Sequence, residues 1–130
     1  MRRFHLIFGL MVAVVFLLTG QYMDRFYQHL LYMPDGPRLL YRTRHIFILM
    51  SGLVHLSLGS YFRFRSGGVR RAIQLLGSVF ITISSVLFTI GFFYEPRMTG
   101  LYAPFSKAGV ILIAVGTLLH VLSEYNEGHG

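Results

Sequence analysis

The sequence predicts an all-α membrane protein with four transmembrane helices, folded as a single domain of residues 1–130. Apolar residues make up 54% of the chain and charged residues only 13%, against roughly 25% charged in an ordinary soluble domain. Long apolar runs alternate with short polar connections, and arginines stand at the ends of those runs. A chain of this composition must place its apolar surface in lipid.

Four apolar runs are each long enough, with their flanking residues, to cross a ~30 Å hydrocarbon layer. Lipid cannot satisfy open backbone groups, so we expect helices, and short connections favour an up-down-up-down bundle. The first run follows a basic start that is also typical of cleaved signal peptides. However, Leu18 occupies a position where cleavage needs a small residue, so we expect this helix to be retained. The predicted spans are residues 4–23, 45–62, 72–93 and 104–123.

The connection between the first two spans predicts a helical hairpin outside the bilayer, over residues 24–44. Apolar residues between Asp24 and Met33 recur at helical spacing. The segment 33–37 (Met-Pro-Asp-Gly-Pro) is a strong turn signal. A symmetrical hairpin about that turn places Asp24 level with Arg44 and His45, and predicts an Asp24–Arg44 ion pair.

The arginines predict the orientation. Segment 63–71 holds four arginines and no acid, whereas the connections on the other side mix basic residues with acids. Positive residues favour the cytoplasmic side, so we expect this turn and both termini there, in a bacterial inner membrane. The formal charge of +7 then indicates topology and lipid-headgroup contact, and it does not indicate a nucleic-acid partner.

Small residues recur along every span at the spacing of a helix–helix contact. Because lipid supplies no hydrophobic force between helices, close backbone approach through small residues is how spans associate. We interpret these residues as packing seams, which also offer a route to self-association. The glycines concerned are Gly9, Gly20, Gly52, Gly59, Gly77, Gly91, Gly109 and Gly116.

Three histidines, His5, His55 and His120, lie on those seams. An ionisable residue within a span is a candidate functional group. The first hypothesis is that His55 and His120 ligate a b-type haem between the second and fourth helices. The alternative is that these are interior histidines hydrogen-bonded to Ser51, Ser57, Ser123 or a backbone carbonyl. A zinc site lacks the three or four ligands it requires.

A second group of polar residues is predicted to meet on the outer face. Arginines among tyrosines at that level can bind a lipid phosphate, a quinone headgroup or a partner subunit. A network of salt bridges among the residues themselves explains the same composition. The group comprises Tyr22, Asp24, Arg25, Arg42, Arg44, His45, Tyr94, Glu95, Arg97 and Tyr102.

These patterns leave two functional classes. The first is a non-enzymatic accessory or assembly subunit of a larger membrane complex. The second is a haem b electron-transfer protein. No serine, aspartate and histidine share a spacing typical of nucleophilic catalysis, and no phosphate-binding glycine loop is present. We therefore do not expect an enzyme, and the lipid bilayer is the one partner that composition requires.

Overall fold

The computed structural model describes residues 1–63, 67–98 and 102–125. Within these ranges the chain forms four long α-helices and no β-strand, so the prediction of an all-helical fold with four helices is confirmed. Single 3₁₀ turns lie at Gln28–Leu30 and Glu95–Arg97. The helices are α1 (Arg2–Tyr27), α2 (Asp35–Tyr61), α3 (Gly68–Tyr94) and α4 (Pro104–Tyr125).

Local sequence explains where three of these helices begin. Pro104 is the first residue of α4, a position where proline's missing N–H is not needed. Pro34 precedes α2, and Pro37 lies within the first turn of that helix, where proline is also tolerated. Gly67 precedes α3 with φ of +114°, a conformation that glycine adopts without steric cost.

The α1–α2 connection differs from the predicted symmetrical hairpin. Helix α1 ends at Tyr27, and the chain reverses through Gln28–Leu30, where all three residues have positive φ. The turn signal at 33–37 is therefore only partly used, because its last three residues already belong to α2. The predicted helical extension is one turn long on α1 and about ten residues long on α2.

Glycines bring the helices of each hairpin into close contact, as the seam prediction requires. A Cβ added to Gly9 would lie 2.9 Å from the Leu56 side chain, and one added to Gly59 would lie 2.6 Å from Leu6. These pairs show that α1 and α2 run antiparallel. In the second hairpin, a Cβ on Gly77 would lie 2.8 Å from the carbonyl oxygen of Gly116. Any larger side chain there would push α3 and α4 apart.

The two hairpins meet mainly through α2 and α3. The centre of this contact is apolar and fully buried, with Ile48, Ile81, Phe88 and Phe92 all at 0% exposure. Aromatic rings from α2 pack on it: the centroids of Phe47 and Phe88 are 5.1 Å apart. This apolar layer lies between an inner half of the interior, near the end of α2 and the start of α3, and an outer half.

The distribution of polar and apolar residues between interior and surface is inverted relative to that of a soluble protein. Among the described residues, thirteen polar or charged residues are buried and only eleven hydrophobic ones. Large apolar residues instead cover the surface, such as Ile7, Leu17 and Ile111 at 61–64% exposure. This is the distribution expected of a bundle whose outer surface faces an apolar medium.

Three helices, α1, α3 and α4, are long and apolar enough to cross a membrane. Helix α2 has the length, but its apolar run is interrupted by buried His55 and Ser51 and by Ser57 and Ser60. The membrane crossing of α2 therefore stays a prediction.

Candidate functional site

The inner half of the bundle contains a chain of hydrogen bonds that joins helices α1, α2, α3 and α4. The Nδ1 atoms of His5 and His55 are 2.8 Å apart. His5 Nε2 lies 3.0 Å from Ser78 Oγ, and Ser78 Oγ lies 3.2 Å from His120 Nε2. We call these four residues the histidine–serine chain. His5 and His55 are fully buried, Ser78 is 1% exposed and His120 is 9% exposed.

The glycine seams position these side chains. A Cβ on Gly77 would lie 3.0 Å from the His120 ring, so the glycine makes room for the imidazole. Aromatic rings close the cluster: Phe62 lies 5.7 Å from both His5 and His120, centroid to centroid. The start of α1 is held by Arg2, whose Nε donates to the Gly59 carbonyl at 3.1 Å.

The hydrogen bonds of the histidine–serine chain can run in either of two directions. A neutral imidazole has one donor and one acceptor nitrogen, so the contact between the two Nδ1 atoms requires one of each. If His5 Nδ1 donates, His5 Nε2 accepts from Ser78, and Ser78 accepts from His120. If His55 Nδ1 donates, all three bonds reverse. Reversing every bond requires a proton to enter at one end and to leave at the other, and the buried His55 Nε2 has no partner among the described residues with which to exchange one.

The histidine–serine chain ends at His55 Nε2, which is buried without a hydrogen-bond partner among the described residues. This atom's ring lies near the backbone of Ile81 without meeting hydrogen-bonding geometry. The described residues contain no group of three histidine, cysteine, aspartate or glutamate side chains arranged to hold a metal ion. His55 Nε2, beside Ile81, is thus one end of the histidine–serine chain, and His120, which lines the cavity next to Arg63, is the other.

The structure changes the interpretation of His55 and His120. The predicted serine partners were wrong: Ser51, Ser57 and Ser123 each donate to a carbonyl of their own helix. The actual partners are His5 and Ser78. These two side chains also lie between the two proposed haem ligands. A macrocycle between His55 and His120 would have to displace both, so the residues present do not fit haem in this conformation.

The outer half holds a second buried cluster around Glu95, which is 0% exposed. Arg44 Nε donates to Glu95 Oε2 at 2.6 Å. The Ser106 hydroxyl donates to the same oxygen at 2.6 Å, and the Ser106 backbone N–H donates to Oε1 at 2.8 Å. We call these three residues the Glu95 clamp. It joins α2 and the α3–α4 connection to the first turn of α4, where a carboxylate is favoured by the helix dipole.

The clamp corrects the predicted Asp24–Arg44 pair, which was wrong. Arg44 pairs with Glu95, and the Asp24 carboxylate lies 2.7 Å from His29 Nε2. The physical reason is register. His45 Nδ1 lies 3.0 Å from Thr19 Oγ1, about one helical turn earlier on α1 than a symmetrical hairpin places it. Asp24 therefore lies beyond the reach of Arg44.

Other predicted outer residues are brought together by the structure. Arg97 donates to the Tyr22 hydroxyl at 3.0 Å, and His45 stacks on Phe16 with centroids 4.0 Å apart. Beside them Tyr41 donates to Tyr27 at 3.3 Å. Burial raises the pKa of the Tyr41 phenol above its ordinary value, so this hydroxyl stays neutral. The remaining predicted residues, Arg25, Arg42, Tyr94 and Tyr102, are exposed and lie outside the Glu95 clamp.

Sequence reasoning missed the contacts made by His5, Ser78 and Ser106. His5 and Ser78 stand on recognised seams, but a seam does not show which polar groups meet across it. Ser106 is the third residue of α4, and the acid that accepts from its N–H is eleven positions earlier. Comparison with protein-family models, curated proteins and solved structures found no match to this chain.

Replacing Glu95 tests the clamp. In Glu95→Gln, the buried Arg44 guanidinium loses its counter-ion, and we expect a loss of about 3–5 kcal/mol of stability. The measurement is thermal unfolding of detergent-solubilised protein. The matched control is Asp35→Asn, which removes an exposed carboxylate paired with Arg38 and should cost less than about 1 kcal/mol. Equal melting temperatures for the two variants would contradict the assignment.

Replacing Ser78 tests the histidine–serine chain. In Ser78→Ala, the Nε2 atoms of His5 and His120 both lose their partner, and we expect a cost of about 1–3 kcal/mol. Ser60→Ala is the control, because that exposed hydroxyl only donates to the Leu56 carbonyl of its own helix. Nitrogen-15 NMR of the imidazoles should show changed His5 and His120 signals in the first variant alone. Unchanged signals would count against the chain.

Proposed function

We propose that this chain is an integral membrane protein that works as a non-enzymatic accessory or assembly subunit of a larger membrane complex. All four helices cross the bilayer in an up-down-up-down arrangement, with both termini in the cytoplasm of a bacterial cell. The functional proposal rests on a difference between the interior of the bundle and its outer end, which we call the tip. The buried charges are satisfied within the bundle, whereas the outer tip displays exposed apolar side chains.

The tip lies beyond the predicted bilayer boundary and contains Phe26, Leu31 and Tyr32. They are 71%, 67% and 87% exposed. Exposed apolar side chains grouped outside lipid favour a protein contact. Arg25 and Arg42 are also exposed in this region, and they would supply the polar rim that such interfaces require. We call Phe26, Leu31 and Tyr32 the tip patch.

The exposure of the α2 side chains supports the proposal that this helix crosses the membrane. Its polar side chains Ser51 and His55 are 0% exposed, whereas its apolar Ile46 and Leu53 are 58% and 54% exposed. Apart from Ser57 and Ser60, the exposed residues of α2 within the predicted span are apolar or aromatic. This is the pattern expected of a helix that shares lipid with α1, α3 and α4.

The interior gives little support to catalysis. Ser78 is the one serine hydrogen-bonded to two histidines among the described residues, but it is 1% exposed. Ser78 lines a pocket of about 300 Å³ beside the start of α1, but its hydroxyl is already engaged with His5 and His120. The Glu95 carboxylate accepts three hydrogen bonds and is not available as a general base.

A haem b electron carrier is the alternative that the sequence left open, and the positions of His5 and Ser78 argue against it. It requires His5 and Ser78 to leave the space between His55 and His120. An absorbance spectrum of protein purified from haem-replete cells distinguishes the two functions. The accessory subunit is colourless, whereas the haem protein shows a Soret band that His55→Ala or His120→Ala abolishes.

Cysteine labelling tests the topology, because the chain has no cysteine of its own. Asp35→Cys introduces a thiol at the tip, where the aspartate side chain is 91% exposed. Val69→Cys introduces one beside the 63–71 turn, at a residue that is 76% exposed. A membrane-impermeant maleimide should label Asp35→Cys in intact spheroplasts and Val69→Cys only after permeabilisation. The reverse pattern would invert the topology, and labelling of both would contradict four crossings.

Comigration tests the function. A tagged copy expressed from its native locus and extracted in mild detergent should migrate on a native gel well above the 14.9 kDa chain and its micelle. Replacing the tip patch with serines should return the chain to the monomer position, since interface contacts are concentrated in a few large side chains. Asp35→Ser, at the same tip, is the control. Wild-type protein that migrates as a monomer would refute the proposal.

A further inference from the structure

A continuous cleft runs along α2, and its inner part lies between α2 and α4. Its upper part has a volume of about 510 Å³ and its inner part about 260 Å³. Ser57, Leu58 and Thr117 line both parts, so the two form one groove. We call it the α2/α4 cleft.

The chemistry of the cleft changes along its length. Its upper part is lined on α2 by apolar residues, including Ile46, Met50 and Leu53. Its inner mouth is polar, with Arg63 and His120 among the lining side chains. A ligand that matches both ends has an apolar tail and a polar head. A molecule of that kind is an amphiphile.

The apolar part of the cleft is long enough for an acyl chain. Its lining on α2 extends from Ile46 to Leu58, which is about 18 Å at 1.5 Å per residue. Ile46 lies at the outer end of the predicted span 45–62, so an acyl chain whose head lies at Arg63 would fill the inner half of the groove. A groove with one polar end matches an amphiphile better than it matches a transmembrane helix of a partner.

Charge at the mouth favours a phosphate. Arg63 is exposed, and its guanidinium makes no hydrogen bond or ion pair with another described residue, while the Gln74 side chain donates to its backbone carbonyl at 3.1 Å. The sequence of the neighbouring turn adds three more arginines and no acid. Glu124 lies at the same mouth and acts electrostatically on His120. A guanidinium binds phosphate through charge-assisted hydrogen bonds, which are stronger than neutral ones.

We propose that the α2/α4 cleft binds one phospholipid of the inner leaflet. Its phosphate contacts Arg63, and one acyl chain passes Thr117 and lies against α2 in the apolar part of the groove. This site is separate from the tip patch and from the Glu95 clamp, which lie in the outer half. The two proposals can therefore fail independently.

Native mass spectrometry of delipidated protein tests the site. The protein is titrated with phosphatidylethanolamine, with phosphatidylglycerol and with diacylglycerol of the same acyl chains. We expect one saturable lipid per chain for both phosphate lipids. Diacylglycerol should bind about tenfold more weakly, because a hydrogen bond between charged groups contributes roughly that factor. Tighter binding of phosphatidylglycerol than of phosphatidylethanolamine would show that net charge adds to the phosphate contact.

Two variants test the phosphate contact and the acyl-chain groove separately. Arg63→Gln should weaken both phosphate lipids by about tenfold and leave diacylglycerol unchanged. Thr117→Trp fills the groove where its two parts join and should weaken all three lipids. The controls are Arg3→Gln, an exposed arginine near the start of α1, and Ile111→Trp, a 63% exposed residue on α4 that lines neither part. Circular dichroism checks that every variant keeps its helices.

Several outcomes would overturn the proposal. Equal affinity for the three lipids would remove the phosphate site, and unsaturable binding of many lipids would indicate only a solvating layer. If Thr117→Trp left lipid binding unchanged but altered the oligomeric mass, the cleft would be an interface between protein chains. Failure of the tip patch to recruit a complex would leave these lipid measurements unaffected.

Discussion

Close backbone contact through glycine is the constraint on which the structure depends. In lipid, helices gain no hydrophobic energy by associating, so packing and hydrogen bonding must hold them together. Gly9 and Gly59 bring α1 onto α2, and Gly77 and Gly116 bring α3 onto α4. Once the backbones are this close, polar side chains on the seams come within hydrogen-bonding distance of each other. The histidine–serine chain follows from that approach.

The two interior clusters are separated by a mainly apolar layer, in which the buried Ser51, Ser84 and Ser85 donate to carbonyls of their own helices. Ile48, Ile81, Phe88 and Phe92 fill the centre at 0% exposure, with the histidine–serine chain on one side and the Glu95 clamp on the other. A proton moved along the inner chain has no hydrogen-bonded route through this layer among the described residues. The two clusters therefore hold separate ends of the bundle, the inner one joining all four helices and the outer one fixing α4 to α2.

This division shapes what the surface can do. The clamp satisfies Arg44 and Glu95 internally, which leaves the outer tip with apolar side chains and unburied arginines. At the inner end, the weak contact between α2 and α4 leaves a groove that ends at Arg63. In the proposed functions, the outer surface binds a protein partner and the inner groove binds a lipid. Both lie away from the groups that stabilise the bundle.

The sequence by itself determined the helical class, four helices, their approximate limits and the glycine seams, because composition and 3.6-residue periodicity are local properties. It also identified His5, His55, His120, Arg44 and Glu95 as residues of interest. Only the tertiary structure decided their partners. The left-handed residues at Gln28–Leu30 shift the register of α1 against α2 by about one turn, which separates Asp24 from Arg44. This shift depends on how helices distant in sequence are placed. The same is true of the contacts of His5 with His55 and of Glu95 with Ser106. No local sequence pattern encodes that placement.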